Sequence, residues 1–223
     1  MGLGASGSLL SRWLRGGAPA LLLALPIGNA WAQARVELQP ILGVYQSFSS
    51  FPTTERVFLP IIGPLGDPLV RAQRTGVALG GALTVWLAPR IGTRLHVMTA
   101  TSKVATTNSQ VTAQDPIPSR VTMLGGDLLF TVGRVGRVNQ VYLSAGGSLV
   151  QRSGKAYEGF SGTSDLAGTL GLGSSRTLNR HLRLQADVQM LLYRLGLTNP
   201  SGQRYPSRFQ SDMLAYIGVV FQP

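Results

Sequence analysis

Between Leu182 and Tyr193 the chain alternates without a break: Leu182, Leu184, Ala186, Val188, Met190 and Leu192 take one side, and Arg183, Gln185, Asp187 and Gln189 the other. A two-residue period suits an extended strand with one apolar face, and no helix presents residues that way. The same period recurs at Val36 to Tyr45, Val77 to Trp86, Ile91 to Thr101, Leu124 to Val132, Val141 to Val150, Leu166 to Leu172 and Phe209 to Phe221. Together these segments predict eight strands.

The connections restrict the topology further. Pro89-Arg90, Arg134 to Asn139 and Ser175 to His181 are short, whereas the links beginning near Gln46, Lys103, Arg152 and Gly196 are long and rich in Pro, Ser, Thr and Asn. Short and long links take turns along the chain. That order predicts an all-β, antiparallel up-and-down transmembrane barrel, with tight turns at one end and long loops at the other.

A soluble barrel of the lipocalin type has the same period but turns its apolar side chains inward. The polar face separates the two. A water-facing surface carries charges at roughly a quarter to a third of its positions, whereas mid-strand charges here are only Glu37, Asp127, Asp187 and Asp212 against Arg35, Arg94 and Arg183. Gly, Ser, Thr, Gln and Tyr fill most of the rest, which suits a narrow lumen. Inside such a lumen each charge must pair or incur a large desolvation penalty. The expected result is a lumen charge network of Arg35, Glu37, Arg94, His96, Asp127, Arg183, Asp187 and Asp212.

Composition agrees with a lipid environment. Charged residues are 13% of the 223, against roughly a quarter in soluble domains. The net charge of +11 comes almost wholly from arginine, since Lys103 and Lys155 are the only lysines. Arg71, Arg90, Arg120, Arg134, Arg152, Arg176 and Arg194 recur singly near segment ends, a placement suited to lipid headgroups and unlike a nucleic-acid footprint. By the alternation, Phe48, Phe130, Phe209 and Phe221 face lipid near strand ends, while Trp86 and Tyr142 point inward.

Residues 1–34 read as a cleaved signal peptide: Arg12 and Arg15, an apolar run from Ala18 to Ile27, then Ala30, Ala32 and Ala34, with cleavage after Ala32 or Ala34. The run is interrupted by Pro19 and Pro26 and is well short of the ~20 residues a spanning helix needs. The domain division is therefore a leader at 1–34 and a barrel at 35–223, and the address is the cell outer membrane.

With this pattern the chain resembles the small outer-membrane barrels grouped around the transmembrane domain of outer membrane protein A. The last strand, Phe209 to Phe221, carries the resemblance best. In that family a final strand closing on an aromatic residue is read by the outer-membrane assembly machinery; here Gln222 and Pro223 follow Phe221. The resemblance implies outer-membrane lipids, lipopolysaccharide and that machinery as partners.

Chemistry is sparse. Some barrels of this size modify lipid A with a His, a Ser and a carboxylate near the outer rim, but His181 falls in a turn and His96 in the lumen, so neither is a promising base. The chain has no cysteine and only two histidines, so neither a metal site nor a cofactor is expected. The first long loop carries apolar residues between prolines: Phe58, Leu59, Ile61, Ile62, Leu65 and Leu69 are candidates for binding an extracellular ligand. The leading functional expectation is a non-enzymatic barrel supporting envelope integrity. A narrow route for small or hydrophobic solutes comes second, and a lipid A-modifying enzyme third.

Overall fold

The computed structural model describes residues 35–52, 57–59, 63–65, 70–107, 115–135, 139–198, 200, 202, 204 and 207–221. The signal-peptide expectation, residues 1–34, lies outside them. Eight long strands form the wall: β1 (Arg35–Ser47), β2 (Gly76–Ala88), β3 (Ile91–Thr107), β4 (Ile117–Val135), β5 (Asn139–Ser153), β6 (Ser164–Thr177), β7 (Leu182–Leu195) and β8 (Arg208–Phe221). Each pairs antiparallel with the next, and β1 pairs with β8 from Leu38↔Phe221 to Ser47↔Asp212, so the barrel closes. Closure matters because an unpaired backbone edge could not be solvated by lipid.

Local chemistry sets the tight end. Pro89 and Arg90 make the β2–β3 turn. Between β6 and β7, the Asn179 side-chain oxygen accepts hydrogen bonds from the backbone N–H of His181 and Leu182, both at 2.9 Å, a turn built by the asparagine's own side chain.

Strands β3 and β4 extend well beyond their apolar alternation, to Thr107 and back to Ile117. On these added lengths the outward-facing positions include Lys103 and Arg120, so the ladder continues above the apolar belt as a rim. The first long loop joins that rim. Residues 50–52 pair with 70–73, which pair in turn with the end of β3. A separate hairpin pairs Val57–Leu59 with Gly63–Leu65. Of the loop-binding candidates, Phe58, Leu59 and Leu65 sit on this hairpin, and Ile61, Ile62 and Leu69 lie outside the described residues.

Side-chain direction decides the solvent. Leu79, Leu95 and Leu170 are 60%, 62% and 57% exposed, while Arg94 and Asp127 are 1% and 4% exposed. This is the inverse of a water-soluble barrel, and only acyl chains solvate such a wall. Cations reach the outward face only toward strand ends, as Lys103, Arg120, Arg176 and Arg194 do. Phe48 and Phe209 mark the loop end of the belt and Phe130 and Phe221 the turn end, all exposed. Trp86 and Tyr142 are buried together with Leu129 at the turn end of the lumen.

Candidate functional site

Three layers of inward-facing side chains fill the barrel. At the turn end, Glu37 on β1 accepts from Arg183 on β7 at 2.9 Å and pairs with Arg35 at 2.8 Å. Arg35 remains partly exposed, with its guanidinium 5.6 Å from the centre of the Trp86 ring.

The middle layer is a crossbar. Arg94 and Asp127 are directly paired across β3 and β4. Arg94 donates to Asp127 Oδ2 through Nη2 at 3.0 Å, and through Nη1 it reaches across the lumen to Asp187 Oδ1 on β7, also at 3.0 Å. Neutral side chains add further hydrogen bonds. Thr169 and Gln189 donate to Asp127 at 2.8 and 3.0 Å; Tyr142 and Gln185 donate to Asp187 at 2.5 and 2.9 Å. One cation facing two carboxylates stays buried because neutral donors share the excess charge. Glycine makes the space: a Cβ at Gly173 would fall on the Tyr142 ring, and one at Gly146 on the Gly126 carbonyl.

His96 belongs to this layer. Its Nδ1 lies 3.3 Å from Asp127 Oδ2 and its Nε2 3.4 Å from Ser148 Oγ. The order Ser148–His96–Asp127 is that of a hydrolytic triad, and sequence reasoning missed the serine. Strand parity turns all three residues inward, but their proximity depends on the register across β3, β4 and β5. All three are buried, and Asp127 already carries Arg94.

Toward the loop end the lumen becomes apolar, unlike the small polar filling expected from sequence. Ile41, Met98, Met123, Val150, Leu191 and Leu214 are buried there. Above them Asp212 stands apart from the crossbar, accepting from Tyr45 at 2.5 Å and from Tyr193. Arg152 pairs with Asp165 at 2.6 Å and lies 4.8 Å from the centre of the Tyr193 ring. Its place near a segment end puts Arg152 among the arginines expected at headgroups, but its parity with Ser148 and Val150 turns it inward. Tyr157, on a short turn after β5, donates to Gln73 at 3.1 Å. Burial pushes its phenol up to about 12, so it remains a donor at neutral pH.

The tyrosine pair around Asp212 has a measurable role. Changing Tyr45 and Tyr193 together to Phe is expected to destabilise the barrel by about 1–3 kcal/mol, the usual cost of orphaning a buried acceptor. Urea unfolding in lipid vesicles would show this, with Asp212→Asn recovering part of the loss. An unchanged midpoint would mean that Asp212 draws its stabilisation from elsewhere.

No protein family and no curated protein matches the chain by sequence. By structure it is similar to the outer membrane protein OprG from Pseudomonas aeruginosa, with a TM-score of 0.61 at 14% identity, covering 85% of this chain and 96% of that one. It is also similar to the outer membrane protein AlkL, determined in lipid bilayers, with a TM-score of 0.58 at 12% identity, covering 84% and 90%. At such identities the likeness establishes the fold. Taken with the apolar outer wall, it makes the chain a membrane-embedded, closed eight-stranded barrel of the type found in the outer membrane of Gram-negative bacteria.

Proposed function

We propose that this barrel is a non-enzymatic, non-conducting element of the outer membrane that supports envelope integrity, with its loop-end surface, including the Phe58 to Leu69 segment, available for binding. Residues 1–34 would direct its export, the assembly machinery would read its last strand, and outer-membrane lipids and lipopolysaccharide would surround it. The crossbar carries the reading: Arg94 binds carboxylates on two separated strands in mid-lumen, and apolar side chains fill the space above. An ion would have to break those pairs and then cross an oily layer. Absence of catalysis is supported by the burial of Ser148, which keeps it from an exposed substrate, and by the ion pair of Arg94 with Asp127, which occupies the carboxylate a triad would use.

Purified barrel in planar bilayers should therefore show no steady conductance. Reproducible openings that change on Asp187→Asn or Arg183→Gln would overturn this reading. The apolar loop-end lumen favours one alternative, a narrow route for small hydrophobic solutes. Faster entry of a fluorescent hydrocarbon into barrel-containing vesicles than into protein-free ones, without ion conductance, would select it.

A further inference from the structure

The outer wall carries a second feature, away from the lumen. At the loop end, a groove of about 420 Å³ is lined by Arg74, Lys103, Thr75, Thr101 and Ser102, with Val44 and Val77 on its membrane side. The backbone N–H of Arg74 donates to the Lys103 carbonyl at 2.8 Å, which holds these two cations side by side. Arg120 pairs with Thr101, two residues before Lys103 on the same outward face. All three cations are exposed, and none forms an ion pair with a described carboxylate. The hydroxyls serve the scaffold instead: Ser102 donates to the Arg74 carbonyl and Thr75 to Gln46. Among the described residues, then, these three cations have no carboxylate partner.

Directly below them the surface changes character. Val44 and Val77 are exposed, followed by Leu42 and Leu79 on the same outward rows. A free anion would use only the upper part of this site. A lipid with a phosphorylated headgroup would use both, placing phosphate on the cations at the interface and an acyl chain along the valines. The acidic residues Glu37, Asp127, Asp187 and Asp212 are all turned inward, so those strand carboxylates do not oppose such a headgroup.

We propose that Arg74, Lys103 and Arg120 form a binding site for the phosphates of an outer-leaflet glycolipid, the lipid A anchor of lipopolysaccharide, whose chain lies against Val44 and Val77. The site rests on the reading that the loop end faces outward from the outer membrane. It goes beyond general immersion in lipid by naming one face of the barrel, β2 to β4, and one chemical group.

The test is native mass spectrometry of the full, detergent-solubilised barrel titrated with bis-phosphorylated lipid A, with dephosphorylated lipid A and with inorganic phosphate. The unaltered protein should retain the phosphorylated lipid about tenfold better than the dephosphorylated one, as expected for a few interfacial cations acting together. Arg74→Gln, Lys103→Gln and Arg120→Gln together should remove that preference. Arg194→Gln with Arg208→Gln, which removes two cations from β7 and β8, should leave it in place. Equal retention of both lipids, a preference that survives the triple change, or equal loss in the β7–β8 variant would overturn the proposal, the last by showing diffuse attraction only. Displacement by inorganic phosphate at equal concentration would reassign the groove to free anions. Heat-modifiable gel migration reports the fold of every variant; should the triple variant lose it, the single Arg74→Gln and Arg120→Gln variants provide the same comparison. Absence of heat-modifiable migration in the unaltered chain would instead overturn the membrane reading beneath it.

Discussion

Replacing Arg94 by methionine is expected to destabilise the folded barrel by about 3–5 kcal/mol, the range for removing one partner of a buried ion pair. The size follows from what remains. Asp127 and Asp187 are both buried, and both pair with this one guanidinium. Methionine fills much of the volume, so the loss reports charge more than cavity. The loss shrinks if the carboxylates go as well. A triple variant, Arg94→Met with Asp127→Asn and Asp187→Asn, should recover most of the stability, because Thr169, Gln189, Tyr142 and Gln185 can still hydrogen-bond neutral amides. Urea unfolding in vesicles, followed by gel mobility without boiling, measures both. A single variant as stable as the parent would show that the crossbar contributes nothing to holding the strands, and its role as a seal would lose its physical basis.

Much of this architecture is visible in the residues themselves, and the exceptions have identifiable causes. Strand parity assigns inside and outside correctly from β1 to β8, because a one-residue slip would put Asp187 and Arg183 into lipid. The ends of β3 and β4 are less visible. Where a strand leaves the bilayer its outward residues become polar, the alternation fades, and Lys103 to Thr107 reads as loop although the backbone ladder continues. Arg152 shows a different limit. Position near a segment end suggested a lipid contact, and only its phase with Val150 reveals that it points into the mouth. The apolar loop-end lumen was hidden because Met190, Leu191 and Leu192 run together, so neither face there stands out as polar. The contacts of Ser148 with His96, and of Arg94 with Asp187, depend on the stagger between strands, which no single segment encodes.

The second large effect lies one residue away from the first and on the opposite side of the wall. Leu95→Arg is expected to cost about 2–4 kcal/mol in a bilayer, the range for a cation on the lipid face of a barrel near the midplane. Leu95 follows Arg94 on β3 and is among the most exposed leucines, so it lies at the level of the crossbar while facing outward. On a water-soluble barrel the same substitution at an exposed site would fall within about 0.5 kcal/mol of neutral. The two environments therefore predict different outcomes from one change. Thr101→Arg supplies the depth control: it stands on the same outward row nearer the rim, where the cost should fall to about 0–1 kcal/mol. Unfolding free energies for the two variants in vesicles, compared with the parent, give the gradient directly. Equal and negligible effects at both positions would mean that the wall around Leu95 does not meet acyl chains. A steep decline from Leu95 to Thr101 would locate the bilayer midplane at the height of Arg94, where a charge is tolerated inside the barrel because Asp127 and Asp187 receive it and is excluded outside because nothing does.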